Sequence, residues 1–167
     1  MKNDQIIIVN DKDEIIDYKK RGTLDNSDIY RVSGLWIQNS KGEILLAQRS
    51  FNKNKHPGKW GPAVAGTNDK GETYESNIIK EAEEEIGLTN CKFQKALYYF
   101  RDGEHKYFRQ WFFTIVNKKL EEFKIQEEEV EQIKWFTKEE LQKELNESPD
   151  KFLKSIKWGL EYFANKF

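Results

Sequence analysis

The chain has one cysteine and three prolines among 167 residues, and it has no apolar run approaching the roughly 20 residues that span a bilayer. A single cysteine, Cys91, excludes an internal disulfide or a cysteine-rich metal cluster, and we expect it to be a small buried residue. The first apolar run, Ile6 to Val9, is too short for the apolar region of a signal peptide. We therefore expect a cytoplasmic protein without a membrane segment.

Net charge is scarce as well, because 28 basic residues almost balance 29 acidic ones. A chain with so weak an overall field is not expected to bind nucleic acid or membranes in bulk through charge. A small molecule is the expected partner, and a homodimer stays open. Aromatic residues make up 14% of the sequence, so they must supply much of the core.

Short apolar segments joined by turn residues predict several β-hairpins. They lie at 6–18, 30–48 and 93–116, and further strands are expected at 60–65 and 133–136. Strands thus dominate the middle of the chain.

Three helices are expected between or after these strands. The first follows Thr73 and ends at Gly87, a residue suited to the left-handed end of a helix. Thr137 opens the second with a capping box, and Ser148-Pro149 opens the third. The pattern predicts a single α+β domain over 1–167, with an N-terminal hairpin at 5–18 and C-terminal helices at 137–167.

The first helix carries a concentrated acidic pattern. At about 100° per residue, Glu81, Glu84 and Glu85 share one face, whereas Glu83 lies away from them. A core-facing stripe is expected beside that face, formed by Ile78, Ile79, Ala82 and Ile86. Three like charges repel one another, and a hard cation with oxygen ligands, such as Mg²⁺, would relieve that repulsion. A solvated acidic surface is the alternative for the glutamates alone.

The spacing around this helix resembles the Nudix box, a 23-residue motif. Glycine at 66 and 87, glutamate at 72, 81, 84 and 85, and apolar residues at 82 and 88 all fall in register. The resemblance implies a Nudix α/β/α sandwich with a mixed sheet between helices, and a box at 66–88. It also implies a Mg²⁺ site, with Mn²⁺ as an alternative, formed by Glu81, Glu84, Glu85 and the backbone carbonyl of Ala65. Lysine at 80 replaces the arginine of the motif, so we expect a looser structural brace between Lys80 and Glu72.

The flanking sequence resembles Nudix proteins of the isopentenyl-diphosphate isomerase branch. In those relatives, basic residues at the positions of Arg49 and Lys53 hold the diphosphate, as arginine and lysine can. The isomerase cysteine and histidine positions hold Ala65 and Thr67 here, and no glutamate stands near Tyr107 to Arg109, where the acid–base glutamate falls. The resemblance therefore implies hydrolysis rather than isomerisation.

The expected activity is Mg²⁺-dependent cleavage of a diphosphate linkage in a nucleoside diphosphate derivative or related organic diphosphate. Glu84 or Glu85 is the expected general base, and the acidic run 127–129 is a less favoured source. An isomerase-like enzyme and a non-catalytic module that senses a diphosphate are the alternatives. The two histidines, at 56 and 105, are expected at the surface, and the aromatic residues 107, 108 and 111 are expected to be core more often than ligand-stacking residues.

Overall fold

The computed structural model describes residues 3–166, in which six strands precede the first helix and three more strands separate it from the last two helices. The strands are β1 (Gln5–Val9), β2 (Ile15–Lys20), β3 (Ile29–Gln38), β4 (Ile44–Arg49), β5 (Trp60–Pro62), β6 (Val64–Thr67), β7 (Gln94–Asp102), β8 (Lys106–Ile115) and β9 (Val130–Phe136). The helices are α1 (Tyr74–Ile86), α2 (Lys138–Glu147) and α3 (Lys154–Phe163), with short 3-10 turns at Leu120–Glu122 and Pro149–Lys151.

Strand β3 is the centre of a single mixed sheet. It pairs antiparallel with β1, β4 and β6, and it runs parallel to β8 from the Ile29–Lys106 pair to the Gln38–Ile115 pair. Strand β7 extends the sheet beyond β8, while β5 and β9 pair with β4. The arrangement brings β6, the start of the box, against the middle of β3.

Side chains of β3 alternate between two cores, one on each face of the sheet. Leu35 and Ile37 pack in the cluster that contains Ile78 of α1, whereas Trp36 packs in the cluster of α2 and α3. The Trp36 ring stacks on Phe163 with 5.0 Å between ring centres. A strand covered on both faces is apolar on both, as β3 is. The α+β class and the sandwich with a mixed sheet between helices are confirmed.

Two local expectations for the strands and the first helix were wrong. Ile79 is 49% exposed and does not share the core stripe, because α1 turns the side chains of Ile78, Ala82 and Ile86 inward. The single strand expected at 60–65 is two strands, since β5 pairs with β4 and β6 pairs with β3.

The helix expected to open at Ser148-Pro149 was also placed too early. Pro149 begins only a 3-10 turn, and α3 starts at Lys154. Phe152 is buried in the second core, and the Leu153 N–H donates to the Trp60 carbonyl at 2.8 Å. This long-range pairing holds the chain extended between the turn and the helix.

No helix within residues 3–166 combines the length and the apolar character needed to cross a bilayer.

Candidate metal and substrate site

Helix α1 is fixed at both ends by local chemistry. The Thr73 side chain accepts a hydrogen bond from the Ser76 N–H at 3.0 Å, and the Ser76 hydroxyl accepts one from the Thr73 N–H at 2.9 Å. At the other end Gly87 has a φ of 66°, and its N–H bonds the Glu83 carbonyl. These caps set which residues of the helix face the sheet.

The four glutamates near the end of α1 have different surroundings. Glu81 and Glu85 are 1% and 8% exposed, Glu84 is half-buried, and Glu83 is exposed. The helical face that holds Glu81 and Glu85 lies against the sheet. Glu83 is therefore a natural control for its neighbours, as its position on the helix indicated.

Gly66 allows α1 to lie close to β6. A Cβ atom at this position would lie 2.6 Å from Cγ and 2.8 Å from Cδ of Glu81, which is closer than real atoms approach. Glycine therefore leaves the space that the Glu81 side chain fills. The same contact places Glu81 beside the β6 backbone, where Ala65 immediately precedes the glycine.

Lys80 contacts three carboxylates at once. Its ammonium forms an ion pair with Glu72 and lies 3.3 Å from an Asp69 oxygen and 3.8 Å from a Glu81 oxygen. Glu72 also accepts hydrogen bonds from the Asp69 N–H and the Asn77 amide, each at 2.8 Å. The lysine thus joins the loop before α1 to the helix.

Sequence reasoning missed Asp69 and Arg21 in this network. Asp69 is 1% exposed, and its carboxylate binds both Arg21 and Lys80. Asp69 lies at an unspecified position of the box, and Arg21 is far from it in the chain. Only the arrangement of β1, β2 and β6 brings them together, so no local signal could have found them. We call the group of Arg21, Asp69, Glu72 and Lys80 the brace cluster.

Contacts within the brace cluster shift the pKa values of Glu72 and Lys80. Burial alone would raise the pKa of Glu72, but the hydrogen bonds from Lys80, the Asp69 N–H and Asn77 outweigh it, and the pKa is lowered. Burial alone would lower the pKa of Lys80, but Glu72 and the other carboxylates raise it. Both shifts favour the charged forms, so the pair is an ion pair near neutral pH.

A cleft of about 680 Å³ opens beside the glutamate face. Ala65, Gly66 and Glu85 line it on the α1 side. Basic residues line other parts of its wall: Arg21, Arg49, Lys53, Lys55 and Lys106. The cleft therefore combines carboxylates with cations that can hold phosphate oxygens.

The two predicted substrate-binding residues both lie on this cleft. The Arg49 Nε donates to the Lys55 carbonyl at 3.0 Å, and the Lys53 ammonium lies 2.5 Å from Glu129. Of the acidic run at 127–129, only Glu129 reaches the cleft, whereas its two preceding neighbours are exposed. Glu129 is thus the member of the run with access to a bound substrate.

The sequence analysis also named two histidines, three aromatic residues of β8 and one cysteine, and these lie at the surface or pack in or against the cores. His56 and His105 are both exposed, and His105 lies at the rim of the cleft. Phe108 and Trp111 belong to the cores, whereas the Tyr107 ring lies 5.7 Å from Tyr30, a cleft residue. Cys91 is a half-buried free thiol that packs against the first core.

The donors near Gly66 fit a hard cation by their chemistry. Glutamate and carbonyl oxygens are the ligands that Mg²⁺ prefers. Within residues 3–166, no three His, Cys, Asp or Glu side chains enclose an ion in their present conformations. Glu81 lies near Lys80 instead, so the carboxylates must reorient to close around a metal.

A family model for the NUDIX domain matches residues 29–156 of this chain. The chain belongs to the Nudix family. Among curated relatives, a Nudix hydrolase of Listeria monocytogenes is 33% identical over 121 residues, which is 69% of this chain and 68% of the relative. A Nudix hydrolase of Yersinia pestis is 28% identical over 153 residues, covering 89% of this chain and 81% of the relative.

The isomerase branch also appears among the matches. An isopentenyl-diphosphate delta-isomerase of Salmonella heidelberg is 28% identical over 95 residues, covering 53% of this chain and 50% of that enzyme. The resemblance read from the sequence is therefore confirmed for both the family and its isomerase-like members. Relatives named as Nudix hydrolases support a pyrophosphohydrolase, the class of enzyme expected from the sequence.

Solved structures share the fold at low identity. A crystal structure from Deinococcus radiodurans has a TM-score of 0.72 at 20% identity and covers 86% of this chain and 90% of its own. A MutT protein from Methanosarcina mazei has a TM-score of 0.66 at 24% identity, covering 83% and 96%. At such identities the likeness concerns the fold alone. Divalent metals are general among Nudix enzymes.

Proposed function

We propose that this Nudix chain is a Mg²⁺-dependent hydrolase that cleaves the diphosphate linkage of a nucleoside diphosphate derivative or a related organic diphosphate. The observation that carries the proposal is the contact between Gly66 and Glu81. It brings the glutamate face of α1 to the edge of a cleft that also holds Arg49. Mn²⁺ is an alternative metal of similar ligand preference.

Each group in the cleft then has a distinct role. Glu81, Glu84 and Glu85 would hold the metal, together with the Ala65 carbonyl. The bound cation supplies charge neutralisation on the phosphate oxygens and lowers the pKa of water. Arg49 and Lys53 bind the phosphates, with Lys53 leaving or sharing its ion pair with Glu129.

Hydrolysis itself needs one proton acceptor. A water oxygen forms a bond to one phosphorus while the bridging P–O bond breaks, and the leaving phosphate takes up the electron pair. Glu84 or Glu85 accepts the proton of the attacking water, and Glu129, which also lines the cleft, is the further candidate. The brace cluster holds α1 in place, and its member Arg21 also lines the cleft.

A substrate screen tests this proposal directly. Purified protein is incubated with Mg²⁺ and nucleoside triphosphates, dinucleotides, nucleotide sugars or prenyl diphosphates, and released phosphate products are measured. Hydrolysis of at least one class that disappears with EDTA is expected. The absence of any metal-dependent hydrolysis across these classes would contradict the proposal and favour a non-catalytic sensing module.

Isomerisation is the second candidate, since isomerase relatives match half of the chain. The chain holds Ala65 and Thr67 at the cysteine and histidine positions of the isomerase branch, and the region of its acid–base glutamate contains Arg109. We expect no interconversion of isopentenyl and dimethylallyl diphosphate with Mg²⁺ or Mn²⁺. Turnover on the order of 1 s⁻¹ or faster would overturn the hydrolase assignment.

A further inference from the structure

Strand β8 carries a buried cation that the proposed chemistry does not use. Arg109 is 8% exposed and lies between Tyr107 and Trp111 on one side of its strand. Its guanidinium carbon is 5.6 Å from the centre of the Tyr107 ring and 5.0 Å from that of the Trp111 ring. Aromatic faces stabilise a cation, but they do not accept the hydrogen bonds of its N–H groups.

Two N–H groups of the Arg109 guanidinium have no hydrogen-bond acceptor among the described residues. The Nε and Nη1 atoms of Arg109 are buried and have no hydrogen-bond partner among the described residues. An uncompensated buried charge is costly, and most buried arginines are paired or hydrogen-bonded. An acceptor from outside the chain would complete this arrangement.

Two neighbouring groups add to this set of donors. The Tyr99 hydroxyl and the Trp111 indole nitrogen are also buried, and the indole N–H lies close enough to donate to the Tyr99 oxygen, which leaves the hydroxyl proton as a donor. Tyr99 pairs with Arg109 across β7 and β8. Burial raises the pKa of Tyr99 while the charge of Arg109 opposes the rise, so the two groups are close. Arginine and tryptophan nitrogens can only donate, and a tyrosine hydroxyl can donate too.

This group lies beside the cleft. Val32 of β3 pairs with Arg109 on one side and with Thr67, a cleft residue, on the other. Tyr30 also lines the cleft, and its ring lies against that of Tyr107, the residue two positions before Arg109. A chain of contacts through Tyr30 and Tyr107 thus links the lining of the cleft to the guanidinium.

Gly34 keeps the position next to Arg109 free of a side chain. A Cβ atom there would lie 3.0 Å from the Trp111 ring and 3.3 Å from Nη1 of Arg109. Any larger residue would crowd both donors. The glycine therefore lets the Trp111 ring and the Arg109 guanidinium lie directly against the backbone of β3.

We propose that Arg109 and Tyr99, with Trp111 beside them, form a subsite for an anionic oxygen group, a carboxylate or a phosphate, carried on the organic part of the diphosphate substrate. The substrate part of this statement rests on the proposed hydrolase function, whereas the anion subsite does not. The donor-only chemistry selects an acceptor, and the guanidinium charge selects an anion over a neutral group. A plain prenyl chain, which has no acceptor, does not match it.

Nuclear magnetic resonance tests the subsite without metal or turnover. Protein labelled with ¹⁵N is held in EDTA, and the arginine Nε–H signals are followed during titration with inorganic phosphate or with acetate. The Arg109 signal is assigned by its loss in Arg109→Lys. Arg101 of the neighbouring strand β7 serves as the internal control. Its guanidinium carbon lies 4.0 Å from the centre of the Trp158 ring.

A saturable shift of the Arg109 signal, with the Arg101 signal unmoved, is expected for at least one anion. A response to phosphate alone points to a phosphorylated organic group, and a response to acetate alone points to a carboxylated one. No response to either anion, as a trapped water molecule alone would give, overturns the subsite. Because the titration contains no Mg²⁺ and no substrate, a failed hydrolase assignment leaves this outcome unaffected.

A second variant tests whether the anion binds at Arg109 itself or elsewhere in the cleft. Arg109→Met keeps the length of the side chain and removes its charge and donors, while Arg101→Met is the matched control. Anion affinity, measured by calorimetry, should fall at least about tenfold in Arg109→Met and stay within about twofold of the wild type in Arg101→Met. Equal affinities in all three proteins would place the bound anion elsewhere in the cleft and overturn the assignment.

Discussion

Two groups of buried charges near the cleft differ in how their polar atoms are paired. In the brace cluster, Asp69 bonds Arg21 and Lys80, and Glu72 bonds Lys80, Asn77 and a backbone N–H. Around Arg109, by contrast, the Nε and Nη1 donors of the guanidinium lie buried without partners among the described residues. The brace cluster contains two cations and two carboxylates, whereas the second group contains one cation and two aromatic side chains but no carboxylate.

The difference indicates different roles. A network whose charges are satisfied internally needs no ligand, and it can hold a helix in position. Donors left without acceptors cost stability in the free protein, and such a cost is common where a ligand completes the site. The brace cluster therefore supports the site, whereas the Arg109 group is suited to contact the substrate. Changing each group in turn should separate these roles.

Gly66→Ala should have the largest effect on activity. The added methyl group overlaps the buried Glu81 side chain, so the proposed metal ligand is displaced. A displacement of about 1 Å lowers kcat/KM by roughly 100-fold. Steady-state hydrolysis measures the effect, and Gly103→Ala is the control because a Cβ there meets nothing closer than 3.7 Å. Equal activity in both variants would contradict the placement of Glu81.

Asp69→Asn should have the largest effect on stability. It leaves Arg21 and Lys80 without their shared carboxylate, and their partial exposure limits the loss to about 2 kcal/mol in the free energy of unfolding. Urea unfolding measures it. Asp102→Asn, at an exposed pair 4.0 Å long, should change the free energy by less than about 0.5 kcal/mol. Similar small losses in both would show that the brace cluster is not a stabilising network.

Lys80 variants should have an intermediate effect. Lys80→Arg keeps the charge and adds a second donor for Glu72, so activity should stay the same or rise. Lys80→Glu places a fourth carboxylate beside Asp69, Glu72 and Glu81, and activity should fall about tenfold, equivalent to about 1.4 kcal/mol of transition-state stabilisation. Equal rates for wild type and Lys80→Glu would show that the brace does not support catalysis.

Arg109→Met should change stability least. The Nε and Nη1 donors of Arg109 have no hydrogen-bond partner among the described residues. Removing this buried charge should therefore leave the free energy of unfolding within about 1 kcal/mol of the wild-type value or increase that free energy. Urea unfolding in anion-free buffer is the measurement. A loss above about 3 kcal/mol would mean that Arg109 is a structural member of the core, paired as the brace cluster is.

Short-range spacing in the sequence predicted the local features of the 66–88 segment. The caps of α1 and the common face of Glu81 and Glu85 follow from helix geometry, whereas the Lys80–Glu72 contact was implied by the resemblance to the Nudix box. The layered fold followed from the resemblance and from the apolar segments. The metal and substrate roles of Glu81, Glu84, Glu85, Arg49 and Lys53 stay predictions.

Long-range pairing explains what the sequence could not show. Arg21 meets Asp69 only because β1 and β2 lie beside β6, and α3 starts late because Phe152 is held near Trp60. The burial of Arg109 depends on β3 and β7 flanking β8. The pattern of one sequence contains no signal for a contact between distant segments. A charged residue on a predicted strand is therefore expected to be exposed to solvent.

The most direct test of the account compares three adjacent glutamates of α1. Glu83, Glu84 and Glu85 are chemically identical, and each change to glutamine removes one charge with little change in shape or helix propensity. Hydrolysis rate is measured against Mg²⁺ concentration for the wild type and the three variants. Glu84→Gln and Glu85→Gln should lose most of the activity and require more Mg²⁺, while Glu83→Gln, at an exposed position, should match the wild type. Four indistinguishable curves would contradict the metal site and the function that rests on it.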